Sequence, residues 1–237
     1  LFESFIELIN SAIDEKSPYT GGHCQRVPEL TMLLAEAATE MTDGPLADFH
    51  MSDKDRYELK IAGLLHDCGK ITTPIHVVDK ATKLQTIFDR IELIETRYEI
   101  FKRDAKIQAL EEIIALRQPA NPTAEAAALA GCEAAQAALN EEFEFLRHSN
   151  TGGEAMRLED QDRVRDIAKQ RSWRNRLNAV KPGLSDNEVE NLTIKAGTLT
   201  AMERQEINHH IVATIKMLEA LPWPRHLTNV LFRSSVS

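Results

Sequence analysis

Ser52-Asp53-Lys54-Asp55-Arg56-Tyr57-Glu58-Leu59-Lys60-Ile61-Ala62-Gly63-Leu64-Leu65-His66-Asp67-Cys68-Gly69-Lys70 reads as a helix that ends in a cluster of reactive side chains. Ser52 and Asp53 suit an N-cap, where a side-chain oxygen meets free backbone N–H groups. Tyr57, Ile61, Leu64 and Leu65 recur at helical spacing and mark one apolar face. Gly69 and then Thr73-Pro74 end the pattern. An imidazole beside a carboxylate, at the end of an apolar helix, suits a divalent first-row metal. Without a cation, a buried Asp67 would carry an uncompensated charge. Lys70, four residues after His66 and three after Asp67, projects from the same region, where an ammonium can hold a phosphate oxygen.

Working outward, helical periodicity dominates. Phe2, Phe5, Ile6, Ile9, Ala12 and Ile13 predict one face of a first helix that stops near Ser17-Pro18, with a turn at Gly21-Gly22. Val27, Leu30, Leu34, Ala37 and Met41 predict the apolar face of a second, closed by Asp43-Gly44-Pro45. Ile87, Ile91, Ile94, Tyr98 and Phe101 alternate by four and three, the stripe of a coiled-coil seam. After a turn over 117–122, Ala128, Cys132, Ala135, Leu139, Phe143 and Leu146 form a matching seam with small residues. Residues 85–148 are therefore expected to be an antiparallel helical hairpin, read as structural, with a partner or homodimer surface as the sharper alternative. A final helix opens at Thr200-Ala201-Met202-Glu203 and carries Ile207, Ile211, Thr214, Ile215 and Leu218 until Pro222-Trp223-Pro224. There is no useful period-two run, so the fold class is all-α. The expected division is 1–84, the hairpin 85–148, an irregular connector 149–196, and 197–237.

Composition narrows the function. Over 237 residues, 28 Lys and Arg stand against 37 Asp and Glu, a net charge of −9, which disfavours a polynucleotide partner. A small phosphate ligand remains compatible, because a bound cation inverts the local field. Cys24, Cys68 and Cys132 are odd in number and widely spaced, which favours a reducing, cytoplasmic compartment over a disulfide framework. No apolar run is long enough to span a bilayer, and no membrane contact is expected from this segment. The chain opens on Leu1, so it is expected to be a piece of a longer protein with an upstream sensor domain.

Of the eight histidines, His50, His76, His148 and His226 lie in loops or polar stretches without a partner at ligand spacing. His23 opens the second helix, and His209-His210 sit within the last; ligands from separate helices can converge in the core of an all-α bundle. Ser17-Pro18-Tyr19-Thr20-Gly21-Gly22-His23-Cys24-Gln25-Arg26-Val27 resembles the opening motif of the HD-GYP group of HD phosphohydrolases. Leu64-Leu65-His66-Asp67-Cys68-Gly69-Lys70-Ile71 resembles its His-Asp-x-Gly-Lys motif, followed by Pro74. Leu199 to His210 resembles the helix bearing its next metal-binding histidine, which aligns on His210 rather than His209.

The resemblance implies an HD-domain bundle with an inserted hairpin, and a phosphodiesterase hydrolysing the bacterial second messenger cyclic di-GMP. It implies divalent metals, iron or manganese, two per complete site. His23, His66, Asp67 and His210 would be metal ligands; Asp67 and Lys70 would act in catalysis, with Lys70 on the scissile phosphate. Some members bind a third metal through a Glu four residues before the first His; Tyr19 stands there and favours two. After Val230 the family continues to His-His-Glu and Gly-Tyr-Pro elements, whereas this chain reads Leu231-Phe232-Arg233-Ser234-Ser235-Val236-Ser237. It is therefore expected to be truncated and inactive on its own. Two alternatives stay open: an HD phosphohydrolase acting on another nucleotide, and a degenerate, non-catalytic signalling module.

Overall fold

The computed structural model of the chain describes residues 2–16, 22–116, 121–153, 155–224 and 227. The predicted turns at Ser17-Pro18 and Gly21, the Tyr19 position, most of the 117–122 turn, and His226 lie outside them. In order come α1 (Phe2–Lys16), α2 (His23–Thr39), a 3-10 turn (Gly44–Leu46), α3 (Asp53–Leu65), a 3-10 turn (Cys68–Thr72), α4 (Ile75–Val78), α5 (Ile91–Leu116) and α6 (Pro122–Asn150). Then follow α7 (Leu158–Gln170), strands β1 (Ser172–Arg174) and β2 (Val180–Pro182), α8 (Asp186–Leu192) and α9 (Ala201–Glu219). The class is all-α, as the periodicity indicates. The antiparallel pair β1–β2 is three residues long on each side, too short to show a period-two signal.

The chain divides into two compact units. The first joins residues 1–79 to 201–237. Its core packs Ile6 and Ile13 of α1, Cys24 of α2, Ile61, Ala62 and Leu65 of α3, Cys68, and Leu218 of α9. Ser52 closes a full capping box with Asp55 at the start of α3. Burying each such Ile or Leu contributes roughly 1.5–3 kcal/mol. Trp223 lies against this core and donates its indole N–H to the Leu218 carbonyl at 2.7 Å, satisfying an acceptor at the end of α9.

The predicted face of α2 is corrected, and those of α1 and α9 hold in the main, departing at Phe5 and Ile211. On α2 the buried side chains are Cys24 and Pro28, while Leu30 and Leu34 are exposed, as is Met41 beyond the end of the helix. Pro28 passes close to Gly63 of α3, where a Cβ would stand 3.2 Å from its Cα, and this approach selects the face. On α1, Phe5 is exposed and Ile6, Asn10 and Ile13 point inward. On α9, Ala213, Thr214 and Leu218 are buried and Ile211 is half-exposed.

The second unit runs from Lys80 to Thr200. Its α5 and α6, 26 and 29 residues long, span about 40 Å each at ~1.5 Å per residue. Tyr98 packs on Phe143 with ring centroids 5.7 Å apart, and Lys102 donates to Asn140, so the two helices run antiparallel. Val164 and Ile167 of α7 and Leu192 of α8 complete a core with Ile94, Tyr98, Leu139 and Leu146. Ile87 does not join the seam; it is 97% exposed. The chain before Ile91 is a turn pinned by side chains: Asn150 Oδ1 accepts from Leu84 N, Asn150 Nδ2 donates to Asp89, and Asp89 Oδ1 accepts from Ile91 N.

Candidate metal centre

The first unit brings His23, His66, Asp67, Lys70 and His210 together around one carboxylate. Asp67 follows the last turn of α3 and is 6% exposed. His23 Nε2 stands 3.1 Å from its Oδ2, His66 Nε2 3.0 Å and Lys70 Nζ 2.7 Å; His210 Nε2 stands 3.4 Å from Oδ1. The His23 and His66 rings lie 5.4 Å apart, tilted to each other. Positions separated by up to 187 residues in the chain thus share one centre. His209, one position before His210, is exposed and takes no part.

The imidazoles are oriented from behind. His66 Nδ1 faces the Gly63 carbonyl at 2.7 Å, and His210 Nδ1 faces the Ile207 carbonyl. A carbonyl only accepts, so Nδ1 carries the proton in both rings and Nε2 is the atom turned toward Asp67. Nε2 then meets the carboxylate either as an N–H donor of the imidazolium or, when a cation is bound, as a lone pair toward it, and a backbone acceptor on the far nitrogen is the usual support of a metal-ligating histidine. The imidazole nitrogens of His23 and His66 and a carboxylate oxygen of Asp67 suit a first-row divalent metal, while His210 stands outside that group, against the other oxygen of Asp67. Among the described residues, His23, His66 and Asp67 offer ligand atoms all within 4.8 Å of one another.

The electrostatics follow from the same contacts. Burial works against the charged Asp67, but hydrogen bonds from His66 and Lys70 overcome it and hold the carboxyl far below the usual carboxylate range. Burial likewise disfavours the His66 imidazolium, yet the hydrogen bond and charge of Asp67 outweigh it and raise its pKa. The neighbouring thiols are not part of the donor set. Burial, assisted by Asp14, pushes Cys24 up to about 12, and burial also raises Cys68.

Two residues that position the centre carry no sequence signal of that role. The Gly69 N–H donates to Thr214 Oγ1 at 2.9 Å. A Cβ on Gly69 would lie 2.1 Å from the His210 carbonyl oxygen, so only glycine lets α9 approach. Their contact spans 145 residues, beyond what local periodicity reads.

The family model for the HD domain matches residues 20–170, well over half of the chain. The chain belongs to the HD domain family. Within this HD protein, 88 residues are 38% identical to the 3'3'-cGAMP-specific phosphodiesterase 3 of Vibrio cholerae serotype O1. The match covers 35% of this chain and 17% of that relative's length. No solved structure matches. No helix among the described residues is long and apolar enough to cross a membrane.

Proposed function

We propose that this HD protein is part of a metal-dependent phosphodiesterase of the HD-GYP type, acting on a cyclic dinucleotide. The observation that carries the reading is the convergence of three imidazoles and one ammonium on the buried Asp67. His23, His66, Asp67 and His210 would hold a divalent metal. When bound, that metal supplies Lewis acidity toward a phosphoryl oxygen and lowers the pKa of a coordinated water. Asp67, charged at neutral pH, balances the cation and fixes the imidazole directions. Lys70 places a positive charge 2.7 Å from Asp67 Oδ2, suited to a phosphate oxygen.

The mixed nitrogen and oxygen donors disfavour magnesium and calcium, which prefer all-oxygen sites, and the choice of iron or manganese is what the HD-GYP resemblance implies. Cyclic di-GMP is the substrate that the HD-GYP resemblance implies, and the name of the Vibrio relative points to 3'3'-cGAMP. Incubation of the full-length protein with Mn(II) or anaerobic Fe(II) and each dinucleotide separates them. Linear dinucleotide or mononucleotide product supports the proposal. A clear preference for mononucleotide substrates would favour the other HD phosphohydrolase reading, and metal-free, inert protein the non-catalytic one.

The same reading includes a cytoplasmic setting behind an upstream sensor, and a homodimer through the helical hairpin of α5 and α6. Ile107, Leu110 and Ile114 are exposed on α5 at helical spacing, apart from the buried stripe of Ile94, Tyr98 and Phe101. Sedimentation of wild type against Leu110→Glu tests the dimer; a monomer in both rejects it.

A further inference from the structure

The last turn of α1 is tied to the centre by one side chain. Lys16 Nζ donates to the carbonyl oxygens of Lys70, Ile71 and Thr73, at 3.2, 2.5 and 2.5 Å. An ammonium has three N–H donors and no acceptor, so all three are spent on one short stretch of backbone. That stretch closes the 3-10 turn Cys68–Thr72, whose end carbonyls carry a partial negative charge that favours a cation. The turn is held from its other end as well, by Thr214 at the Gly69 N–H. Two residues before Lys16, Asp14 Oδ2 accepts from the Gly22 N–H at 3.2 Å, immediately ahead of His23. The end of α1 therefore braces both the segment that leads into His23 and the one that carries Lys70.

We infer that Lys16 is a positioning residue for Lys70: its ammonium locks the backbone of residues 70–73 so that the Lys70 ammonium stays beside Asp67. The Lys70 carbonyl receives both Lys16 Nζ and the Thr73 N–H, at 3.2 and 3.1 Å, which fixes the peptide plane from which the Lys70 side chain departs. Lys16 makes none of the Asp67 contacts described above and acts through Lys70. Methionine at position 16 keeps the aliphatic stem and removes the donors; arginine keeps charge and donors. The consequence for ligand binding rests on the reading of Lys70 as a phosphate contact.

The test uses the Mn(II)-loaded chain and inorganic phosphate as the probe, with Lys16→Met, Lys16→Arg, Lys70→Met and the double variant Lys16→Met/Lys70→Met. Lys16→Met is expected to weaken phosphate binding by roughly tenfold or more, the scale of losses on removing a supporting partner, with Mn(II) stoichiometry unchanged. Lys16→Arg is expected to restore most of it. The double variant is expected to bind no more weakly than Lys70→Met, since Lys16 acts only through Lys70. Additive losses, or full affinity in Lys16→Met while Lys70→Met loses it, overturn the inference. Full affinity in Lys70→Met instead overturns the reading of Lys70. The placement is then decided by the Lys70 Nζ resonance of the metal-free, 15N-lysine-labelled chain. Movement to the free-lysine position in Lys16→Met supports the inference, and an unmoved resonance overturns it. Should Lys16→Met fail to fold, the wild-type Lys16 ammonium decides: protection from exchange supports it, and exchange at a surface-lysine rate overturns it.

Discussion

Gly69 and Thr214 meet through a 2.9 Å hydrogen bond that lets α9 lie directly on the turn after Asp67. A Cβ at position 69 would stand 2.5 Å from the Thr214 nitrogen and 2.1 Å from the His210 carbonyl oxygen. Gly69→Ala must therefore push α9, and His210 with it, away from Asp67. The expected outcome is an overpacking cost of roughly 1–3 kcal/mol in stability and a marked loss of metal affinity. Thr214→Val, which removes the hydrogen bond with little change of shape, is expected to lose less of both. Thermal melts and metal titrations of the two variants check this ordering.

Asp67 holds the imidazoles as much as they hold it. In the metal-free chain, Asp67→Asn is expected to return the raised His66 pKa toward its ordinary value, read by NMR titration of the ring. The stability effects have opposite signs. The raised His66 pKa contributes stability that is fully present below the unfolded value, about 6.5, and lost as pH rises through the folded value. The depressed Asp67 pKa contributes stability present above about 3.9 and lost as pH falls below it. Urea melts across pH 3 to 8, with and without Asp67→Asn, expose both limbs.

A bound metal should stabilise the chain by mass action. At a free concentration one hundred times Kd, the gain is about 2.7 kcal/mol. Adding a chelator is expected to lower the melting temperature of wild type and to leave His66→Ala unmoved. An equal shift in both would place the metal elsewhere.

The second unit has its own acid-sensitive element. Burial works against the charged Glu188, but hydrogen bonds from Arg97 and the Ser185 N–H hold its pKa below the ordinary value. Arg97 Nη2 lies 2.6 Å from Glu188 Oε1, with side chains only 15% and 6% exposed. This contribution is present above about pH 4.3 and is lost as pH falls through the folded value. Arg97→Ala, which strands a buried carboxylate, is expected to cost roughly 3–5 kcal/mol, and Arg97→Ala with Glu188→Leu to recover part of it. Denaturant midpoints of the three proteins test this.

Which parts of this were legible in the residues depends on how local their causes are. The Ser52 cap, the end of α3 and the stripe of Ile94, Tyr98 and Phe101 arise from neighbouring side chains, and local pattern reads them. The meeting of His23, His66, Asp67 and His210 was legible only through the motif resemblance; spacing alone left it open. The face of α2 was misread because it holds two sets of apolar residues. Periodicity shows that Leu30 and Leu34 share a side, but the approach of Pro28 to Gly63 decides which side is buried. Ile87 was misread because the hydrogen bonds of Asn150, sixty residues on, stop the helix before it begins. Lys16 has no local signal of its role, because its three acceptors lie more than fifty positions away.

Trp223 gives the protein a built-in optical reporter. The chain has two tryptophans, one in each unit: Trp173 in β1 and Trp223 against the end of α9. With Trp173 changed to Phe, the remaining emission comes from an indole hydrogen-bonded to the helix that bears His210. Fluorescence of that variant would follow ion uptake and local melting of the centre without any attached dye.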